Sequence, residues 1–106
     1  MSDITQMAFR ALADPTRRAI LQLLSQQDMT IADVSTRFDM TRAAVKKHLT
    51  MLSDGGLITV TARGRERINS INPVGFAPAL SWFEHFDTFW DDRLSSLKAA
   101  IEKDTQ

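Results

Sequence analysis

The sequence predicts a mainly α-helical domain that carries one β-hairpin, and three observations lead there. Apolar residues recur at helical spacing in successive blocks through the first half. One of these blocks, TRAAVKKHLTML at residues 41–52, is apolar on one side and basic, with no acid, on the other. Further on, LITVTA and RINSIN read as two β-branched strands around the turn RGRE.

The helices can be taken in order. Ile4, Met7, Ala8, Ala11 and Leu12 repeat at helical spacing up to Asp14-Pro15, where Asp can cap and Pro can open a second helix. That second helix carries Ile20, Leu21, Leu23 and Leu24. Thr30 can cap a short third helix with Ile31, Val34 and Phe38 on its buried side, and Phe38-Asp39-Met40 makes a tight turn before a new cap at Thr41.

In the fourth helix, Val45, Leu49 and Leu52 fall in one narrow sector, with Ala44 and His48 at its border. Arg42, Ala43, Lys46, Lys47 and Thr50 spread over the opposite side. Gly55-Gly56 ends the helix with a residue free to take positive φ. Two short helices joined by a tight turn, the second with a bare basic face and small residues at its leading end, describe a helix-turn-helix. The hairpin then places Arg63, Arg65 and Arg67 at its tip. A basic hairpin in that position is a wing, suited to phosphates or to the minor groove. Its facing is ambiguous, because Ile68 and Ile71 have opposite parity and cannot both point inward in a regular strand.

Composition narrows the function. At 106 residues, 43% hydrophobic and 25% charged, the chain fits one globular domain over 1–106. It has no cysteine, which excludes disulfides, thiolate metal sites and cysteine nucleophiles. No apolar run approaches the roughly 18 residues of a membrane span, and MSDITQMAFR lacks an apolar signal core, so the expected location is cytoplasmic. Two distant histidines, no Gly-rich phosphate loop and no paired carboxylates in an apolar context argue against an enzyme and against a cofactor.

Net charge is zero, yet its distribution is lopsided. Between Thr41 and Arg67 the bases Arg42, Lys46, Lys47, Arg63, Arg65 and Arg67 face only Asp54 and Glu66. From Ser81 onward the acids Glu84, Asp87, Asp91, Asp92, Glu102 and Asp104 outnumber Arg93, Lys98 and Lys103. A basic middle with an acidic end suits a protein that meets phosphate with one face only. Double-stranded DNA is the expected partner. The candidate DNA-binding residues are Thr41, Arg42, Ala43, Lys46, Lys47, His48, Thr50, Arg63, Arg65 and Arg67, with His48, at the border of the packed side, better suited to a structural role or to anchoring a phosphate than to reading a base. Arg17 and Arg18 are better placed to pair with acids or a helix end than to touch DNA.

The last third is one long helix, or a short one at 73–80 followed by a long one. Phe76, Trp82, Phe83, Phe86, Phe89 and Trp90 crowd into it, with Phe76, Phe83, Trp90 and Leu97 spaced by seven and Leu80, Leu94 and Ile101 beside them. Such a stripe exceeds what one small domain buries. It predicts a two-fold homodimer through the first and last helices, about 3–12 and 74–103. The candidate interface is Ile4, Met7, Ala8, Phe83, Phe86, Trp90, Leu94, Leu97 and Ile101. A competing reading gives the aromatic helix to a protein partner or a small apolar effector.

ALADPTRRAILQLL, followed by FDMTRAAVKKHLTMLSDGGLITV, the Arg-Gly-Arg turn and INP before an aromatic helix, resembles the ArsR/SmtB-type winged-helix repressors over nearly the whole chain. The match is to a cysteine-free branch with a DPTRR corner and an aromatic final helix. The resemblance implies a winged helix-turn-helix of order α-α-α-α-β-β-α, with the helix-turn-helix at about 30–54 and the wing at about 57–72. It also implies a homodimeric repressor, read here as autoregulatory, that binds a pseudo-palindromic operator. Asp39 stands where many such turns have Gly, and Asp tolerates the αL conformation. Lys46 stands where the family often has Ser.

Many relatives release DNA when a metal binds. The soft-metal form needs cysteines on the third helix, where this chain has TIADV. The other form needs two clusters on the last helix; Glu84, His85 and Asp87 occupy the first place, but Ser96, Leu97 and Lys98 occupy the second. One imidazole without a second nitrogen is a poor transition-metal site, so no regulatory metal is expected.

Overall fold

The structure is a computed structural model that describes residues 2–104, with the side chains of 87–91 and 104 outside that description. Its elements are α1 (Asp3–Leu12), α2 (Pro15–Gln26), β1 (Met29–Thr30), α3 (Ile31–Ser35), α4 (Arg42–Asp54), β2 (Ile58–Arg63) and β3 (Glu66–Ile71). A 3-10 turn (Pro73–Phe76), α5 (Ala77–Glu84) and α6 (Asp87–Asp104) complete the order.

The first four helices start where a side chain can satisfy the free backbone N–H groups of the opening turn. Ser2 caps α1, Asp14 caps α2 with Pro15 just inside, and Thr41 caps α4. At α3, Thr30 and Asp33 bond reciprocally to each other's backbone. This capping box helps to hold a helix too short to persist alone. The end of α4 is equally explicit: the Leu57 N–H donates to the Leu52 carbonyl at 3.0 Å and the Gly56 N–H to Ser53 at 2.9 Å, with Gly56 at φ 77°. Those bonds form a Schellman stop, for which glycine supplies the left-handed residue.

Ala8 and Ala11 of α1, Ile20, Leu21 and Leu24 of α2, Val34 of α3 and Val45, Leu49 and Leu52 of α4 close one core over Met29, Leu57 and Ile58. Three inward positions on α4 leave its basic side outward. The strands form an antiparallel sheet of order β1-β3-β2. β2 and β3 run in register from Ile58 opposite Ile71 to Arg63 opposite Glu66. Gly64, at φ 62°, opens the two-residue turn between them, where a positive φ matches the twist of the strands.

Several expectations change. β1 is an added strand: Met29 and Thr30 pair with Asn69 and Ile68, and two residues are too few to show a period in the sequence. Of the two readings of the last third the broken one holds, but after a 3-10 start the break lies at His85 and Phe86 and not at 80; their N–H groups bond three residues back to Trp82 and Phe83. α3 ends at Ser35, so Phe38 packs on the core from the following turn and not from the helix. Among the described residues no non-glycine has positive φ, so Asp39 makes its turn without the αL conformation. Ile71 packs against the main core while Ile68 is buried outside it, consistent with their opposite parity.

Candidate nucleic-acid interface

The candidate site begins with α4. Thr41 accepts the Ala44 N–H at 3.1 Å, fixing the leading turn. From there Arg42, Ala43, Lys46, Lys47 and Thr50 are exposed, as are Thr41 itself and Arg63, Arg65 and Arg67 on the hairpin. Among the described residues, no acid lies within ion-pair distance of any of these six bases. Neighbouring like charges left unneutralised create a positive field that a polyanion relieves.

The hairpin folds back so that a cleft of about 720 Å³ opens between it and α4. Arg42, Lys46 and Thr50 line one wall, and Arg65, Glu66 and Arg67 the other. Leu49, Ser53 and Asp54 of α4, with Val60, Asn69 and the start of α3 at Thr30, Ile31 and Ala32, complete it. Thus five of the sequence-predicted residues share one cavity, while Thr41, Ala43, Lys47, His48 and Arg63 lie outside its lining. Thr30, Ala32 and Asn69 were not expected there. The pairing of β1 with β3 carries them in, and Asn69 is pinned by its Nδ2 donating to the Met29 carbonyl at 3.1 Å.

His48 faces the other way, toward the corner between α1 and α2. Its Nδ1 lies 3.4 Å from an Arg17 Nη and 3.9 Å from the Asp14 carboxylate. Arg17 also donates to the carbonyls of Ala11 and Arg10, and Arg18 to that of Leu12, so both arginines serve the end of α1. Asp14 accepts the Arg17 N–H at 3.0 Å. That hydrogen bond holds its carboxyl below the usual carboxylate range; the charges of Arg17 and His48 add to the effect, against partial desolvation. Among the described residues, no group of three or more His, Cys, Asp or Glu is gathered closely enough to hold a metal ion. No described helix is long and apolar enough to cross a membrane.

A short capped helix, a turn, an exposed basic helix and a hairpin closing on it define a winged helix-turn-helix, a DNA-binding class of fold. Residues 12–61 match the model of a helix-turn-helix domain. The chain is 31% identical over 86 residues to the transcriptional repressor SdpR of Bacillus subtilis, covering 81% of this chain and 96% of that one. It is 29% identical to an HTH-type transcriptional regulator of Mycobacterium tuberculosis, over 92% of this chain and 88% of the relative. The crystal structure of an ArsR family transcriptional regulator superposes with a TM-score of 0.76 at 33% identity, covering 85% of this chain and 99% of that chain. The chain belongs to the ArsR family of DNA-binding transcriptional regulators, and is a regulator and not an enzyme.

Proposed function

We propose that the chain is a repressor that binds a pseudo-palindromic operator as a homodimer, its own promoter included, without control by a metal. The observation that carries this reading is the two-walled cleft, in which Arg42 and Lys46 of α4 face Arg65 and Arg67 of the hairpin, and among the described residues no acid is paired to any of them. Such an arrangement suits one backbone strand held between a helix in the major groove and a wing beside it.

In this reading Thr41, Arg42, Ala43, Lys46, Lys47 and Thr50 address the major groove. Arg63, Arg65 and Arg67 take the adjoining backbone, and His48 anchors a phosphate. The helix-turn-helix at about 30–54 and the wing at about 57–72 act as one unit within a single domain. The dimer surface uses Ile4, Met7, Phe83, Phe86, Leu94, Leu97 and Ile101, all of them exposed. Ala8, expected there, is fully buried in the protomer's own core and drops out of the surface. Trp90, also expected there, lies outside the described residues. A small-molecule effector is not assigned.

The test is a salt titration of binding to a fluorescent duplex from the protein's own promoter, with a scrambled duplex alongside. A dimer contacting six to eight phosphates gives log K against log salt a slope of roughly −6. Binding that prefers the promoter and is lost in Arg42→Ala/Lys46→Ala supports the reading. A slope near zero, or equal binding to both duplexes, defeats it.

A further inference from the structure

Arg17 lies outside the cleft, yet it touches three helices. From α2 its Nε donates to the Ala11 carbonyl at 2.8 Å and one Nη to the Arg10 carbonyl at 2.9 Å, closing the last turn of α1. Its other Nη reaches Nδ1 of His48 on α4 at 3.4 Å. A guanidinium donates and cannot accept. In the neutral ring the contact therefore needs a lone pair on Nδ1, which places the ring proton on Nε2. The rival partner for that nitrogen is the Asp14 carboxylate, but at 3.9 Å it is out of hydrogen-bond range and already accepts the Arg17 N–H.

We propose that Arg17 is a positioning residue for DNA binding: it holds His48 in the Nε2–H tautomer and turns that donor away from the α1–α2 corner, toward a phosphate of the bound duplex. The proposal rests on the reading of α4 as the recognition helix, with His48, at the border of its packed side, as a phosphate anchor. The two ring nitrogens point to different sides, so tying Nδ1 to the corner leaves Nε2 directed away from it. The His48 side chain is 19% exposed, open enough for one N–H to be reached and too enclosed for the ring to turn freely. Two turns earlier stands Thr41, the exposed N-cap of the same helix. An unbraced ring would have to be fixed in orientation and tautomer on binding, a loss of about three- to tenfold in affinity for one side chain.

A double-mutant cycle on the full chain tests this with the promoter duplex. Glutamine at 48 keeps an N–H near the position of Nε2 and has no second ring nitrogen to brace. Arg17→Met is expected to weaken promoter binding about fivefold in the wild-type background and less than twofold in His48→Gln. Equal losses in both backgrounds would show that Arg17 acts through the end of α1 alone, and would overturn the proposal. A second readout needs no DNA. In long-range proton–nitrogen spectra at pH 8.5, recorded with His85→Gln to leave a single histidine, the wild-type ring should show the Nε2–H tautomer and Arg17→Met a mixture. A mixture already present with Arg17 in place would overturn it. Should Arg17→Met fail to fold, His48→Gln within twofold of wild type and His48→Leu about tenfold weaker would support the donor role, and equal losses would sink it. Failure of the underlying reading looks different: the unmutated protein would bind promoter and scrambled duplexes alike, whatever its tautomer, and the proposal would fall with that reading.

Discussion

Gly75 rests so closely on Gly56 that a β-carbon built on it would overlap the Gly56 carbonyl oxygen. The same carbonyl accepts Asn72 Nδ2 at 2.9 Å, and the Asn72 N–H donates to Leu57 at 2.9 Å. On the other side of this junction, a β-carbon on Gly55 would stand 3.0 Å from the Met7 carbonyl oxygen and 3.3 Å from Ala11 Cβ. The end of α4 is therefore held between α1 and the segment that opens α5. These are the helices proposed to dimerise, so the recognition helix has a rigid reference to them.

The first prediction separates two adjacent causes of strain. Gly75→Ala places its methyl against backbone that no rotamer change can move, and is expected to cost about 3 kcal/mol or more in urea denaturation. Gly56→Ala meets no atom within 4 Å but sits at φ 77°, and should cost only about 1–2 kcal/mol. A loss below about 1 kcal/mol for Gly75→Ala would mean that the 3-10 turn can shift away, and the junction is not rigid.

A second prediction follows from the two sides of α4. Leu52 is completely buried, so Leu52→Ala should cost about 3 kcal/mol of stability by the lost transfer energy and the cavity left behind. Lys46 is exposed and has no ion pair among the described residues, so Lys46→Ala should change stability by no more than about 0.5 kcal/mol. Its effect appears instead in DNA binding, where the salt slope should fall by about one for each lysine removed from a phosphate. An unchanged slope would place Lys46 away from the backbone.

The parts legible in the sequence were those where one periodicity dominates. Val45, Leu49 and Leu52 could be assigned inward, and Arg42 and Lys46 outward, from a single helix projection. Asp14-Pro15 and Gly55-Gly56 marked their boundaries through their own backbone chemistry. What stayed hidden depends on contacts distant in sequence. β1 exists because Met29 and Thr30 meet Asn69 and Ile68, and that pairing brings Thr30 and Asn69 to the cleft. Asn69 in an alternating strand gives no sign that its amide will be pinned to Met29. Ala8 shares the helical spacing of Ile4 and Met7, and spacing alone could not say that it packs inward while they stay exposed. The break at His85 and Phe86 falls among strong apolar residues with no glycine or proline to announce it.

A third prediction concerns acid. The Arg17 N–H, and after it the charges of Arg17 and His48, favour the ionised form of Asp14 in the folded chain. Its folded pKa therefore lies below its unfolded one. The stability it adds is fully present above the unfolded carboxylate value of about 4 and is lost as pH falls through the lower folded value. Asp14→Asn keeps a capping oxygen without the charge. The difference in melting temperature between the wild type and this variant should be present at about pH 5 and shrink below about 4. A difference unchanged down to pH 3 would remove the charge of Asp14 from the account.

The last prediction tests the proposed dimer surface. No described side chain of α6 is buried, and Leu94, Leu97 and Ile101 fall three and four residues apart, on one stripe of the helix, at 50–56% exposure. α1 offers Ile4 and Met7 in the same way, one turn apart. The aromatic residues between them are partly held within the protomer, since Phe9 meets Trp82 and Phe83 edge-on at 5.6 and 6.1 Å. The α6 stripe is thus the surface with most to gain from a second copy, and it is where a charge would do most harm. Leu97→Glu touches nothing in the core and should leave the helical content intact. In sedimentation it should give the protomer mass of 11.9 kDa, where the wild type gives twice that value. Wild-type melting should rise with protein concentration, because association favours the folded form, and the variant's should not. Binding to a palindromic site should fall at least about 100-fold once the two recognition helices are no longer linked. A wild type that sediments at the protomer mass at micromolar concentration would overturn the dimer, and the exposed stripe would then need another partner.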